Sequence, residues 1–101
     1  MVESNFFNLY YYTSQALLGY ITPNMRGIAM AYDDKFKNIL VHVYLLETPS
    51  EVEKENMYFA FSEAESHFDK SFDYKIEFIV KKDEISEKDK LNIWLFLRYP
   101  E

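Results

Sequence analysis

The chain has 101 residues, 49 % hydrophobic and 19 % aromatic, which is enough for one packed domain spanning residues 1–101 and too little for two ordinary ones. It contains no cysteine and carries a formal net charge of −6, which excludes a disulfide scaffold and thiolate chemistry and sets the molecule against phosphate backbones. The N-terminal MVESNFFNLYYYTSQ has no basic stretch before its apolar residues, and no apolar run is long enough to cross a bilayer, so a soluble cytoplasmic protein without membrane contact is expected.

In NFFNLYYYTSQALLG, the residues Phe6, Leu9, Tyr10, Thr13, Ala16 and Leu17 recur at spacings of three and four, as one face of a helix requires. Asn5 is expected to cap its start and Gly19 to take the left-handed conformation beyond its last turn. Thr22-Pro23-Asn24 then reads as a turn, because Pro23 disfavours helix at Thr22 and Asn24 bonds readily to nearby backbone. From Gly27 to Tyr32 large and small residues alternate, with Ile28, Met30 and Tyr32 opposite Gly27, Ala29 and Ala31. This is a strand whose small face lets another element approach closely. Arg26 stands at the joint, where its ordinary role is to fix the loop and its sharper one is to contact a partner.

A short polar connection, DDKFKN, leads to ILVHVYLLE, so the two strands are expected to form an antiparallel hairpin. The second strand is apolar on both faces, as for a strand in the middle of a sheet. TPSE marks a helix start, with Thr48 as cap, Pro49 in the first turn and Glu51 completing a capping box, and the helix is expected over residues 49–68. Met57, Ala60, Phe61, Ala64 and Phe68 form its buried stripe. At about 100° per residue, Glu55, Phe59, Ser62 and Ser66 fall on the opposite side, flanked by Tyr58 and Glu63. YKIEFIVKK then alternates as a half-buried strand. LNIWLFLRY alternates as another, with Leu91, Ile93, Leu95 and Leu97 facing one way and Asn92, Trp94, Phe96 and Arg98 the other. The expected fold is α+β in the order α-β-β-α-β-β, a four-stranded and mainly antiparallel sheet packed with two helices.

Charge is distributed unevenly. Residues 1–46 hold three acids and three bases and residues 70–101 seven of each, whereas residues 47–69 hold seven acids against Lys54 alone. The whole imbalance therefore sits on the second helix, which favours encounter with a basic protein. Its outward residues Glu51, Glu55, Tyr58, Phe59 and Glu63 are the candidate partner-binding residues; the ordinary alternative is a solvated face.

No catalytic, cofactor-binding or metal-ligating set emerges. His42 and His67 are the only histidines and stand in no paired metal-ligand spacing. Ser62, Ser66 and Ser71 lie near His67 in sequence but lack an identifiable oxyanion site, and Glu63 with His67 has the spacing of a helix-surface pair. With only Gly19 and Gly27, a glycine-rich phosphate cradle is excluded. Tyr44, Trp94 and Phe96 would make a stacking platform for single strands only within a positive groove, which is missing, so no direct nucleic-acid contact is expected.

The segment ALLGYITPNMRGIAMAYDD, followed by ILVHVYLLETPSEVEKENM, an acidic helix and NIWLFLRY, resembles a widespread group of small bacterial proteins. In that group A-L-x-G-x-I-x-P-N-x-R leads into a strand pair, a P-S-E helix start and a late strand with a Trp and a terminal Arg. The matching positions are Ala16, Leu17, Gly19, Ile21, Pro23, Asn24, Arg26, Pro49, Ser50, Glu51, Trp94 and Arg98. Some members resemble immunity proteins of contact-dependent growth inhibition or colicin-like toxins. The resemblance implies a non-enzymatic protein without cofactors that occludes a cognate toxin, in particular a basic nuclease domain, by stoichiometric binding. The alternative is an adaptor or regulatory protein, self-associating as a homodimer through an uncovered sheet face.

Overall fold

Four segments with strand patterning and two with helical patterning assemble into one sheet with both helices on a single face. A computed structural model describes residues 2–33, 38–66 and 73–98. Chain order is α1 (Val2–Leu17), β1 (Met25–Asp33), β2 (Asn38–Leu45), α2 (Glu51–Glu65), β3 (Asp73–Val80) and β4 (Ile93–Leu97). The strands lie in the order β3-β2-β1-β4. β1 pairs antiparallel with β2 and with β4, while β2 and β3 are parallel along their whole length, Asn38 opposite Asp73 through Leu45 opposite Val80.

The sheet is thus mixed: two of its three pairings are antiparallel, in keeping with the mainly antiparallel expectation, and the β2–β3 pairing is parallel. The physical reason is the helix between β2 and β3: a helical crossover returns the chain to its starting end, so the next strand runs parallel to the last. α2 packs on β3 through Phe61 against Tyr74 and Tyr58 against Phe78, and α1 packs on α2 and reaches β4. The core unites Leu17 of α1 and Met57, Ala60 and Phe61 of α2 with Ile28, Met30, Ile39, Val41, Val43, Leu45 and Ile76 of the sheet. The Tyr74 hydroxyl donates to the Phe61 carbonyl at 2.5 Å, pinning β3 to α2. Burial, with Glu65 adding to it, raises the pKa of that phenol and keeps it a donor.

Four local expectations change. α1 begins at Val2, so Asn5 lies inside it. Gly19 does not adopt positive φ; α1 ends instead in tight turns closed by Leu18 N–H to Gln15 O and Tyr20 N–H to Leu17 O. The cap of α2 is Ser50 rather than Thr48, and its box partner is Glu53 rather than Glu51. A bulge in β4, where Ile28 faces Phe96 and Ala29 faces Trp94, rotates alternate residues. Phe96 therefore packs on the helical side with the core, apart from Tyr44 and Trp94, whose rings meet on the other face. α2 ends at Glu65, and His67, Phe68 and Ser71 lie outside the described residues.

The chain from Lys81 to Asn92 must travel from one edge of the sheet to the other, and it does so across the face opposite the helices. Tyr44 donates its hydroxyl to Asp89 O at 2.9 Å, and its ring meets Trp94 at 6.0 Å. Leu91 bridges Met30 in parallel and then reverses into antiparallel β4 by taking φ 61°, an uncommon conformation for a branched residue. The small face of β1 is thus approached by an aromatic ring and a loop. A Cβ on Gly27 would stand 3.0 Å from the Trp94 ring.

Thr13 is fully buried in α1 with its hydroxyl unpaired. Thr13→Val keeps the shape and removes the unpaired group, so the urea midpoint is expected to rise by the equivalent of about 1 kcal/mol. No helix among the described residues is long and apolar enough to cross a membrane.

Candidate partner-binding face

The functional candidate is built on α2. Ser50 Oγ accepts from Glu53 N at 3.1 Å, and Glu53 Oε1 accepts from Ser50 N at 3.0 Å, so the first turn is closed in both directions. From that start the period of the helix turns Met57, Ala60, Phe61 and Ala64 inward, all of them buried. It turns Glu51, Glu55, Tyr58, Phe59 and Glu63 outward, so the structure places all five together on one exposed face. Phe59 is 63 % exposed and Tyr58 49 %. Glu55, Tyr58, Phe59 and Ser62 line a shallow depression. Tyr58 is braced at one side by Phe78 of β3, with ring centres 6.5 Å apart.

Sequence reasoning missed Val52, which is also 63 % exposed. It stands seven residues before Phe59 and hence on the same face; that spacing was the signal available. Glu51 is partly engaged by Lys54, whose Nζ lies 3.6 Å from its carboxylate. Glu55 and Glu63 make no ion pair among the described residues. The face thus combines exposed apolar groups with carboxylates whose charge is not cancelled locally.

The residues of the opening motif do something different. Glu53 receives the Thr22 hydroxyl at 2.5 Å and the Asn24 amide at 3.4 Å. Asn24 also clamps Glu47, donating to its carbonyl at 3.0 Å and accepting from its N–H at 2.8 Å. Arg98 donates to Met25 O at 3.1 Å and Thr22 O at 3.3 Å, with its guanidinium over the Phe96 ring. The turn, the start of α2 and the end of β4 are therefore one knot. Partial burial would raise the pKa of the Glu53 carboxyl, but the hydrogen bonds from Thr22, Ser50 and Asn24 outweigh it and hold the pKa below its ordinary value.

Arg26 occupies a bulge between Met25 and Gly27, and its Nη1 donates to Lys81 O and Asp83 O. Its guanidinium anchors the crossing loop. Arg26→Ala is expected to lower stability by about 1.5 kcal/mol and to speed amide exchange in residues 81–92 more than in β2, measurable by hydrogen exchange.

A second cluster has the outline of an acid–base relay. Glu77 Oε2 lies 2.9 Å from His42 Nε2, and His42 Nδ1 lies 3.3 Å from the Tyr44 hydroxyl. That hydroxyl is already committed to Asp89 O, and burial, then Asp89 and Glu77, raise its pKa. A buried, protonated phenol spent on a carbonyl has no free hydroxyl to offer a substrate, so the relay holds the loop to the sheet. No group of three metal-ligating side chains occurs among the described residues.

Residues 8–100 match the family described as MafI2 immunity protein. A comparison with curated proteins yields no match.

Proposed function

We propose that this chain, which belongs to the MafI2 immunity protein family, neutralises a cognate toxin by stoichiometric occlusion through the outward face of α2. The observation that carries this reading is the pairing of exposed Phe59 and Val52 with Glu55 and Glu63 on one rigid, well-capped helix. Apolar groups standing in water at the centre of a charged face gain most when a partner desolvates them, and the surrounding carboxylates choose a partner of opposite sign. A toxin with a basic substrate groove, above all a nuclease domain, meets both conditions. The carboxylates would occupy the positions that phosphates take, and the aromatic side chains would seal the groove from water. No chemistry by the immunity protein is required, and its place of action is the cytoplasm, where such a toxin finds its substrate.

The test uses any toxin domain whose gene neighbours that of this chain. Titration calorimetry is expected to give one-to-one binding that weakens as salt rises, and a nuclease assay to show complete inhibition at equivalence. Absence of binding would move the chain to an adaptor role, and tight binding to a toxin without a basic groove would overturn the nuclease reading.

A further inference from the structure

The two edges of the sheet are built differently. β4 is five residues long and interrupted by a bulge, both of which blunt an edge against unwanted pairing. β3 is eight residues long, pairs with β2 in unbroken register, contains no proline or glycine, and pairs with nothing else among the described residues. Its open side is regular enough to accept another strand.

The direction of its free backbone groups follows from one bond. Lys81 N–H donates to Leu45 O, so in this parallel ladder the amide groups of Lys75, Glu77 and Ile79 also face β2. Those of Tyr74, Ile76, Phe78 and Val80 face outward. In the same strand Lys75 and Glu77 flank Ile76 on the face opposite the helices, and Tyr74 and Phe78 flank it on the helical face. This arrangement is self-complementary. A two-fold axis through Ile76 would set Lys75 against Glu77 of a second copy and Tyr74 against Phe78 of a second copy, each twice. It would also bring the outward amides of Ile76, Tyr74 and Phe78 together as hydrogen-bonded pairs of an antiparallel ladder.

We infer that β3 is a homodimerisation edge, at which two copies of this chain join their four-stranded sheets through an antiparallel β3–β3 pair centred on Ile76. A symmetric dimer needs one patch that fits itself, and the alternation Tyr-Lys-Ile-Glu-Phe meets that need in charge, ring and backbone at once. Phe59 and Val52 lie on the helix face turned away from the sheet, so dimerisation leaves these two free, while Tyr58, which rests on Phe78, borders the seam. The inference does not depend on that reading.

The experiment is sedimentation equilibrium of the full chain, without toxin, over a range of concentration. The wild type is expected at twice the 12.2 kDa chain mass. Lys75 Nζ lies 3.4 Å from Glu77 of its own strand, but 74 % of its side chain is in solvent, so Lys75→Glu removes only an exposed ion pair within each copy while placing like charges opposite each other twice across the axis. It is expected to weaken the dimer by roughly tenfold or more, with an unchanged circular dichroism spectrum. The double exchange Lys75→Glu with Glu77→Lys restores opposite charges across the axis and is expected to recover the dimer; because it also breaks the Glu77–His42 contact, an unchanged circular dichroism spectrum is required of it too. A monomeric wild type would overturn the inference and leave the edge to a strand from another protein. A dimer indifferent to Lys75→Glu would overturn it in favour of another surface.

Discussion

Replacing Phe59 by alanine is expected to weaken the toxin complex by about 30-fold or more, the equivalent of ~2 kcal/mol, while leaving the thermal midpoint unchanged. The side chain stands in solvent, so its removal leaves no cavity and breaks no core contact. What is lost is the burial gained on binding. Phe61, two residues on, provides the internal contrast: it is fully buried among core residues, and Phe61→Ala is expected to cost about 3–5 kcal/mol of folding stability. Charge reversal at Glu55 and Glu63 acts on a different quantity. It is expected to slow association and flatten its salt dependence, with a smaller effect on dissociation, because these groups steer the encounter. Stopped-flow binding and calorimetry on the same variants separate the effects. Unchanged affinity in Phe59→Ala would remove α2 as the binding face.

Glu53→Ala is expected to lower stability by about 2 kcal/mol in urea denaturation, since it removes the reciprocal cap of α2 together with acceptors for Thr22 and Asn24. Part of this network is in contact with water, which limits the figure. The same carboxylate makes stability depend on pH, and the sign follows from its lowered pKa. The unfolded chain takes up the proton more readily than the folded one. The contribution of Glu53 is therefore complete above the ordinary carboxyl value of about 4.3 and is lost as pH falls through the lower folded value. Glu53→Gln is expected to flatten the pH dependence of the midpoint in that acidic window and to leave the neutral range offset by a constant amount. An unaltered slope would place the acid sensitivity on other carboxylates.

The two faces of α2 were legible because a 3.6-residue period repeated over several turns assigns each residue a direction without reference to the rest of the chain. The central character of β2 was legible for a similar reason, since both of its faces are apolar and a strand at the edge would expose one. The cap was not. TPSEVE contains two overlapping box patterns, Thr48 with Glu51 and Ser50 with Glu53, and nothing local distinguishes them. The choice is made by Thr22, which lies 31 residues from Glu53 and holds its carboxylate in place. Arg26 is legible as a joint, but the carbonyls it binds lie 55 and 57 residues away.

By itself, then, the sequence determined the number and kind of elements, the inward and outward sides of α2, and the concentration of negative charge on residues 47–69. These depend on periodicity and composition, which are properties of neighbours in the chain. Only the tertiary structure decided that β3 lies parallel beside β2, that a bulge turns Phe96 to the core while Trp94 covers Gly27, and that the opening motif ties the turn to α2 and β4. Strand direction, bulges and long-range hydrogen bonds are settled by which elements meet in space, where a few contacts between distant residues select among local patterns of nearly equal energy.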